Sequence, residues 1–221
     1  MLLLGFQIAA SMTQGIWLRG SGVVVLLFYL VKFIGWSYAS ANDPSSNVLL
    51  SFVGFTCGVG LCEELCKALP ILMYYRRDAK MGWRGAALWG LASGVGFGVA
   101  EGIMYSSRYY NGISPADAYI VRFISCVALH AIWTASVSIT LWRRQLTIRG
   151  NPEWAAHSLA ILQILAVPMI LHGLYDTLLK KDMDIWALAA GAATFAWFAL
   201  QVEMARGEGA AVKPVARTAW S

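Results

Sequence analysis

Long apolar runs constrain this chain more than any other feature. Six stretches, near 22–39, 47–75, 85–105, 119–142, 159–179 and 185–204, consist mainly of aliphatic, aromatic and small residues. A run of about 18 or more such residues reaches across a bilayer as helix. In lipid, every backbone N–H and C=O must find its partner within the protein, which leaves helices or closed barrels. None of the runs alternates with period two, so barrel strands are excluded. The expected fold is all-α: a polytopic transmembrane helical bundle of six to seven spans around a four-helix catalytic core. Residues 1–18, MLLLGFQIAASMTQGIWL, are the candidate seventh span; they have no basic residue ahead of their apolar core and make a poor signal peptide. The composition agrees, since 13% charged residues are too few to cover a soluble domain of 221 residues. A single membrane domain over 1–204 and a short tail over 205–221 are expected.

The net charge of +5 does not point to nucleic acid, because the basic residues gather in alternate loops. Residues 76–84, RRDAKMGWR, carry four Lys or Arg; residues 143–158 carry Arg143, Arg144 and Arg149; the tail carries Arg206, Lys213 and Arg217. Residues 40–46 have none, and 106–118 have only Arg108. The positive-inside rule then puts the Arg-rich loops and the C-terminus in the cytoplasm. The four cysteines, Cys57, Cys62, Cys66 and Cys126, lie within apolar runs without a CxxC, and are expected as reduced, buried thiols.

Ionisable residues inside membrane spans are costly and usually functional. Here they recur on four runs: Glu63, Glu64 and Lys67, then Glu101, then His130, then His172 and Asp176. Counted from the cytoplasmic ends of their spans, they lie roughly 18 to 26 Å deep. Glu63 and Lys67 are four apart, Glu64 and Lys67 three apart, and His172 and Asp176 four apart, so each set shares a helix face. Two adjacent carboxylates in low dielectric need a partner such as Lys67. Pro70 is expected to bend the helix beside them. Gly90, Gly94, Gly98 and Gly102 form a ridge that admits a second helix closely. Each feature alone also has a packing explanation: a Glu–Lys pair as glue between helices, a histidine as a structural hydrogen bonder, a glycine ladder as a contact surface. Their convergence favours a site.

The motifs, taken together, resemble the PrsW family of intramembrane proteases, in a wider group with CAAX prenyl endopeptidases and bacteriocin-processing proteins. EELCK fits EExxK at Glu63, Glu64 and Lys67; FGVAE fits FxxxE at Phe97 and Glu101; His130 stands alone in LHAIWTA; HGLYD fits HxxxD at His172 and Asp176. The resemblance spans roughly residues 47–180. It implies an integral peptidase of a bacterial cytoplasmic membrane that clips a membrane-anchored protein resembling an anti-sigma factor. CAAX endopeptidases carry FxxxH and HxxxN where this chain has Glu101 and Asp176, which favours the PrsW branch.

Peptide hydrolysis needs an activated water, an oxyanion stabiliser and a proton for the leaving amine. Within the resemblance, Glu63 is the leading general base and Glu64 the alternate. Glu101 positions the water or moves its proton, and His130 orients it. His172 stabilises the oxyanion with help from Asp176, and Lys67 neutralises the Glu pair. No cofactor is favoured: the HExxH spacing of zinc peptidases is absent, and Lys67 would repel a cation. If zinc or another divalent metal is used, Glu63, Glu101, His130 and His172 are the expected ligands. Two other classes compete with the peptidase: a non-catalytic membrane scaffold, and a proton-coupled transporter built on carboxylate and histidine relays.

Overall fold

The computed structural model describes residues 22–76, 80–109, 116–146 and 154–211. Among these there are helices and no strands. In chain order they are α1 (Gly22–Asn42), α2 (Val48–Gly54), a π-helical segment (Phe55–Gly60), α3 (Leu61–Arg76), α4 (Trp83–Tyr109), α5 (Ala116–Arg143), α6 (Trp154–Lys180) and α7 (Asp184–Ala211). Five helical stretches are long and apolar enough to cross a membrane, the first running unbroken over Val48–Arg76. Large apolar side chains such as Leu88, Ile103, Ile124 and Leu188 are exposed on them. A water-soluble surface seldom tolerates so many, whereas lipid does. The protein is therefore an all-α polytopic integral membrane protein. The expected span at 22–39 is folded as α1, and residues 1–18 lie outside the described residues.

The chain divides into two compact units, Met1–Leu69 with Ile161–Thr194, and Pro70–Ala160 with Phe195–Ser221. In the first unit, α1 lies directly against α2 and the π segment. A Cβ on Gly54 would fall 2.5 Å from the Ala41 nitrogen, and one on Gly58 would fall 2.9 Å from Ser37 Cβ. Asn47 caps α2 by accepting from the Leu50 N–H at 2.8 Å. α6 ends in a Schellman turn: Met183 N–H bonds Leu178 O at 2.9 Å and Asp182 N–H bonds Leu179 O at 3.2 Å, with Asp182 at φ 55°. Just before the turn, Lys180 donates to the carbonyls of Ala41 and Asp43, and Lys181 to that of Ser46. These cations satisfy acceptors at and beyond the C-terminal end of α1, where the helix dipole favours positive charge. The loops at 40–46 and 180–184 therefore share one side of this unit.

The second unit is organised by the glycine ridge. A Cβ on Gly90 would fall 2.6 Å from Ala135 Cα, on Gly94 2.5 Å from Ala131 Cα, and on Gly98 2.7 Å from Val127 Cα. Gly102 meets the Phe123 ring. Each step of four up α4 thus meets a step of four down α5, the register of two antiparallel helices in backbone contact. Residues 129–139 of α5 are wholly buried, and their hydroxyls turn back on their own helix, as in Thr134 to His130 O at 2.8 Å and Ser138 to Thr134 O at 2.7 Å. Arg143 at the end of α5 pairs with Glu208 on α7 at 2.5 Å, and a Cβ on Gly209 would lie 3.1 Å from the Trp83 indole. The start of α4 and the ends of α5 and α7 therefore lie on one side of this unit. Those are the chain positions flanked by the Arg-rich loops.

Four expectations about boundaries are corrected. The run 47–75 is one helical rod but not one α-helix, because six residues take π geometry. The loop drawn at 106–118 is shorter, since α4 reaches Tyr109 and α5 starts at Ala116. The loop at 143–158 gives up its last residues to α6, which places His157 on a helix. The tail drawn from 205 begins as helix, with α7 running to Ala211. In the last three cases a helix continues through polar residues that its own backbone hydrogen bonds accommodate.

Candidate active site

The first unit carries a buried ionic cluster around His172. The π segment delivers the chain into α3 with Glu63 and Glu64 in its first turn. Both are buried, as are Lys67 and His172. Lys67 Nζ donates to Glu64 Oε1 at 2.6 Å, with both side chains fully enclosed. His172 Nδ1 lies 3.1 Å from the same Oε1. His172 Nε2 faces two other carboxylates, Asp176 Oδ2 at 3.3 Å and Glu63 Oε2 at 3.7 Å. Glu64 Oε2 is buried with no hydrogen-bond partner among the described residues.

These contacts divide the labour of the carboxylates. Glu64 is the tether: one oxygen holds both Lys67 and His172. Glu63 approaches the other ring nitrogen, the one not tied to Glu64. A neutral imidazole has a single N–H. For both ring nitrogens to hydrogen-bond carboxyl oxygens, the cluster must hold one further proton, on the ring or on a carboxyl. The cluster is thus a place where a proton is shared and can be handed on.

Glycine brings α6 to this position. A Cβ on Gly173 would fall 2.6 Å from the Thr56 nitrogen, and one on Gly60 would fall 3.0 Å from Met169 O. The π segment and α6 therefore touch backbone to backbone at the residue next to His172. Pro70 sits inside α3 as expected, but the irregularity beside the carboxylates is the π segment, which precedes them.

The second unit carries a smaller cluster. Glu101 Oε2 lies 2.6 Å from His130 Nε2, and Cys126 Sγ donates to the same oxygen at 3.4 Å. Phe97, one turn before Glu101, packs on the His130 ring with centroids 5.2 Å apart, and Trp133 meets that ring edge-on at 5.4 Å. Here FxxxE has a physical meaning, since its Phe braces the imidazole that its Glu holds. The expected site residues divide between the two units. Glu63, Glu64, Lys67, His172 and Asp176 meet in the first unit, and Phe97, Glu101 and His130 in the second. Cys126 is expected from the sequence only as a buried thiol, yet its spacing of four from His130 is a readable sign that both share a face of α5.

The second cluster also offers metal donors. Glu101, Cys126 and His130 each present one ligand atom, all within 4.8 Å of one another.

A family model described as "PrsW family intramembrane metalloprotease" matches residues 9–202. No curated protein and no solved structure matches the chain.

Proposed function

Because the chain belongs to the PrsW family of intramembrane proteases, we propose that it hydrolyses a peptide bond of a membrane-anchored protein, of the anti-sigma-factor kind, by water that Glu63 activates. The observation that carries this reading is the geometry around His172, with its Nδ1 held by Glu64 and its Nε2 facing Glu63 and Asp176. Glu63 takes a proton from water as the oxygen bonds to the scissile carbonyl carbon. His172 donates from Nε2 to the oxyanion that forms. Asp176, one turn away, fixes the ring and supports positive charge on it. As the C–N bond breaks, the proton taken by Glu63 passes to the leaving amine. Glu64 and Lys67 neutralise each other and hold the imidazole. Glu101 and His130, hydrogen-bonded to each other and braced by Phe97, form a second acid–base couple, in the other unit.

A second reading gives the enzyme a divalent metal, and the donors in the second unit favour it. Carboxylate, thiolate and imidazole are all ordinary zinc ligands. Lys67, whose charge argues against a cation, is already engaged by Glu64. When bound, held by Glu101 and His130, the metal would supply a more acidic water and a Lewis acid for the carbonyl. The residues named above keep their tasks of orienting, hydrogen-bonding and moving protons.

The Arg-rich loops and the C-terminus are assigned to the cytoplasm of a bacterial cell. The charge asymmetry supports this, as does the grouping of the α4, α5 and α7 ends on one side of the second unit. The scaffold and transporter alternatives lack an equivalent support from the family match.

The test compares membranes containing wild type and Glu63→Gln by mass spectrometry of new N-termini. Wild type should generate an N-terminus within or beside the membrane segment of at least one anchored protein, absent with Glu63→Gln. Identical N-termini in both would overturn the reading. Cleavage that stops on chelation and returns with zinc selects the metal-dependent form.

A further inference from the structure

One of the three donors in the second unit, the thiol of Cys126, belongs to none of the sequence motifs. We infer that Cys126, Glu101 and His130 form a three-donor cradle for a zinc-class divalent cation, with Cys126 bound through its thiolate.

Cys126 and His130 are one helical turn apart on α5, so Sγ and the imidazole share a face. Glu101 comes from α4, and the ridge of Gly94, Gly98 and Gly102 presses α4 against α5 along that same stretch. The position of Glu101 opposite Cys126 and His130 is therefore fixed by backbone contact. Phe97 and Trp133 pack against the His130 ring and restrict it. His130 is buried and the Glu101 side chain is 14% exposed, so the cradle is enclosed yet not sealed.

The distances suit a cation. Zinc bonds of about 2.0–2.3 Å at tetrahedral angles put neighbouring donors about 3.3–3.8 Å apart. Cys126 Sγ and Glu101 Oε2 are already 3.4 Å apart. His130 Nε2 and Glu101 Oε2, at 2.6 Å, are closed on a hydrogen bond. They need to part by only about 1 Å, which carboxylate rotation provides, for a cation to stand between them. Charge balances too. A thiolate and a carboxylate offset the two positive charges of the ion, and the thiol proton leaves as the metal–sulfur bond forms. Three protein donors leave a fourth position for water, the arrangement of a zinc site that does chemistry.

The inference rests on the metal-dependent reading of the Glu101–His130 pair, and its test does not depend on finding a substrate. The full-length protein in detergent, with Cys57, Cys62 and Cys66 replaced by Ala, is titrated with Co²⁺ as the probe. One equivalent should bind and produce a near-ultraviolet sulfur-to-cobalt absorption band. Zinc should displace it and protect Cys126 from maleimide. Glu101→Gln and His130→Ala should each weaken binding by about tenfold or more. In case the triple replacement fails to fold, wild type and Cys126→Ser are compared directly, and the band should be lost only in the latter. Absence of the band in wild type, or its persistence in Cys126→Ser, overturns the inference. The peptidase reading fails separately: a protein that shows the band but cuts nothing keeps the cradle and loses the proposed reaction.

Discussion

His172 Nδ1 lies 3.1 Å from Glu64 Oε1, the oxygen that also accepts from Lys67. One carboxylate oxygen thereby fixes a cation on its own helix and an imidazole on α6. Its neighbour Glu63 reaches the same imidazole at the other nitrogen. Adjacent residues of one type thus hold unequal positions, and substitutions should separate them.

Glu63→Gln should fold and bind detergent like wild type, with cleavage reduced about 10²- to 10⁴-fold, the range for loss of a general base. Glu64→Ala removes the buried carboxylate oxygen that Lys67 and His172 share and should cost about 3–5 kcal/mol of stability along with activity. Thermal melts beside cleavage assays read the difference. Equal melting losses for the two variants would contradict the assignment of base and tether.

Gly94→Ala should push α4 from α5. Its Cβ would stand 2.5 Å from Ala131 Cα, and overpacking of this kind costs about 1–3 kcal/mol. Gly96, two residues on, has nothing within 4 Å of a built Cβ. Gly96→Ala should be neutral or stabilise by up to about 1 kcal/mol. Melting temperatures of the pair give the ridge its own control.

Gly173→Ala should act on His172 without touching its chemistry. Backbone atoms of Thr56 occupy the space its Cβ requires, so α6 must shift away from the π segment. Activity should fall about tenfold or more, since misplacement of a catalytic group by 1 Å can cost about 10²-fold. Wild-type rates in a folded Gly173→Ala protein would show that this contact does not set the imidazole.

Cysteine-accessibility labelling in sealed vesicles should find positions in 76–84 and the C-terminal end of α7 cytoplasmic, and positions in 40–46 on the opposite face. The opposite labelling of 76–84 would reverse the orientation argued from charge.

Much of the fold, and the local pairings of the candidate site, are legible in the amino-acid sequence. Helical periodicity alone puts Glu64 beside Lys67 and His172 beside Asp176, because residues three or four apart must share a face. The glycine ladder announces a close helix partner. What spacing does not carry is the partner's identity and register: that Gly94 meets Ala131, that Glu101 therefore reaches His130, and that Cys126 joins them. Such pairings depend on tertiary contacts between residues 25 to 37 positions apart, about which local propensity is silent. Helix ends escape hydropathy for a related reason, since hydropathy fades before hydrogen bonding does, as at Glu203 and Glu208 on α7.

The π segment has a consequence for how this site tolerates change. Each residue advances a helix by about 100°, and a π turn holds one residue more than the α turn it replaces. Val48–Gly54 and Leu61–Arg76 are therefore out of phase by about one residue within a single rod. Deleting one residue from FTCGVG would let the rod relax to α geometry and bring the two halves back into phase. Nothing in α3 would be altered, and because the lost residue and the lost wide turn cancel, Glu63 and Glu64 would keep their direction about the axis, whereas relaxing all six residues to α geometry with no deletion would swing them by about 100°. Whether these six residues hold π or α geometry is therefore a rotary setting of the carboxylates, independent of their own codons.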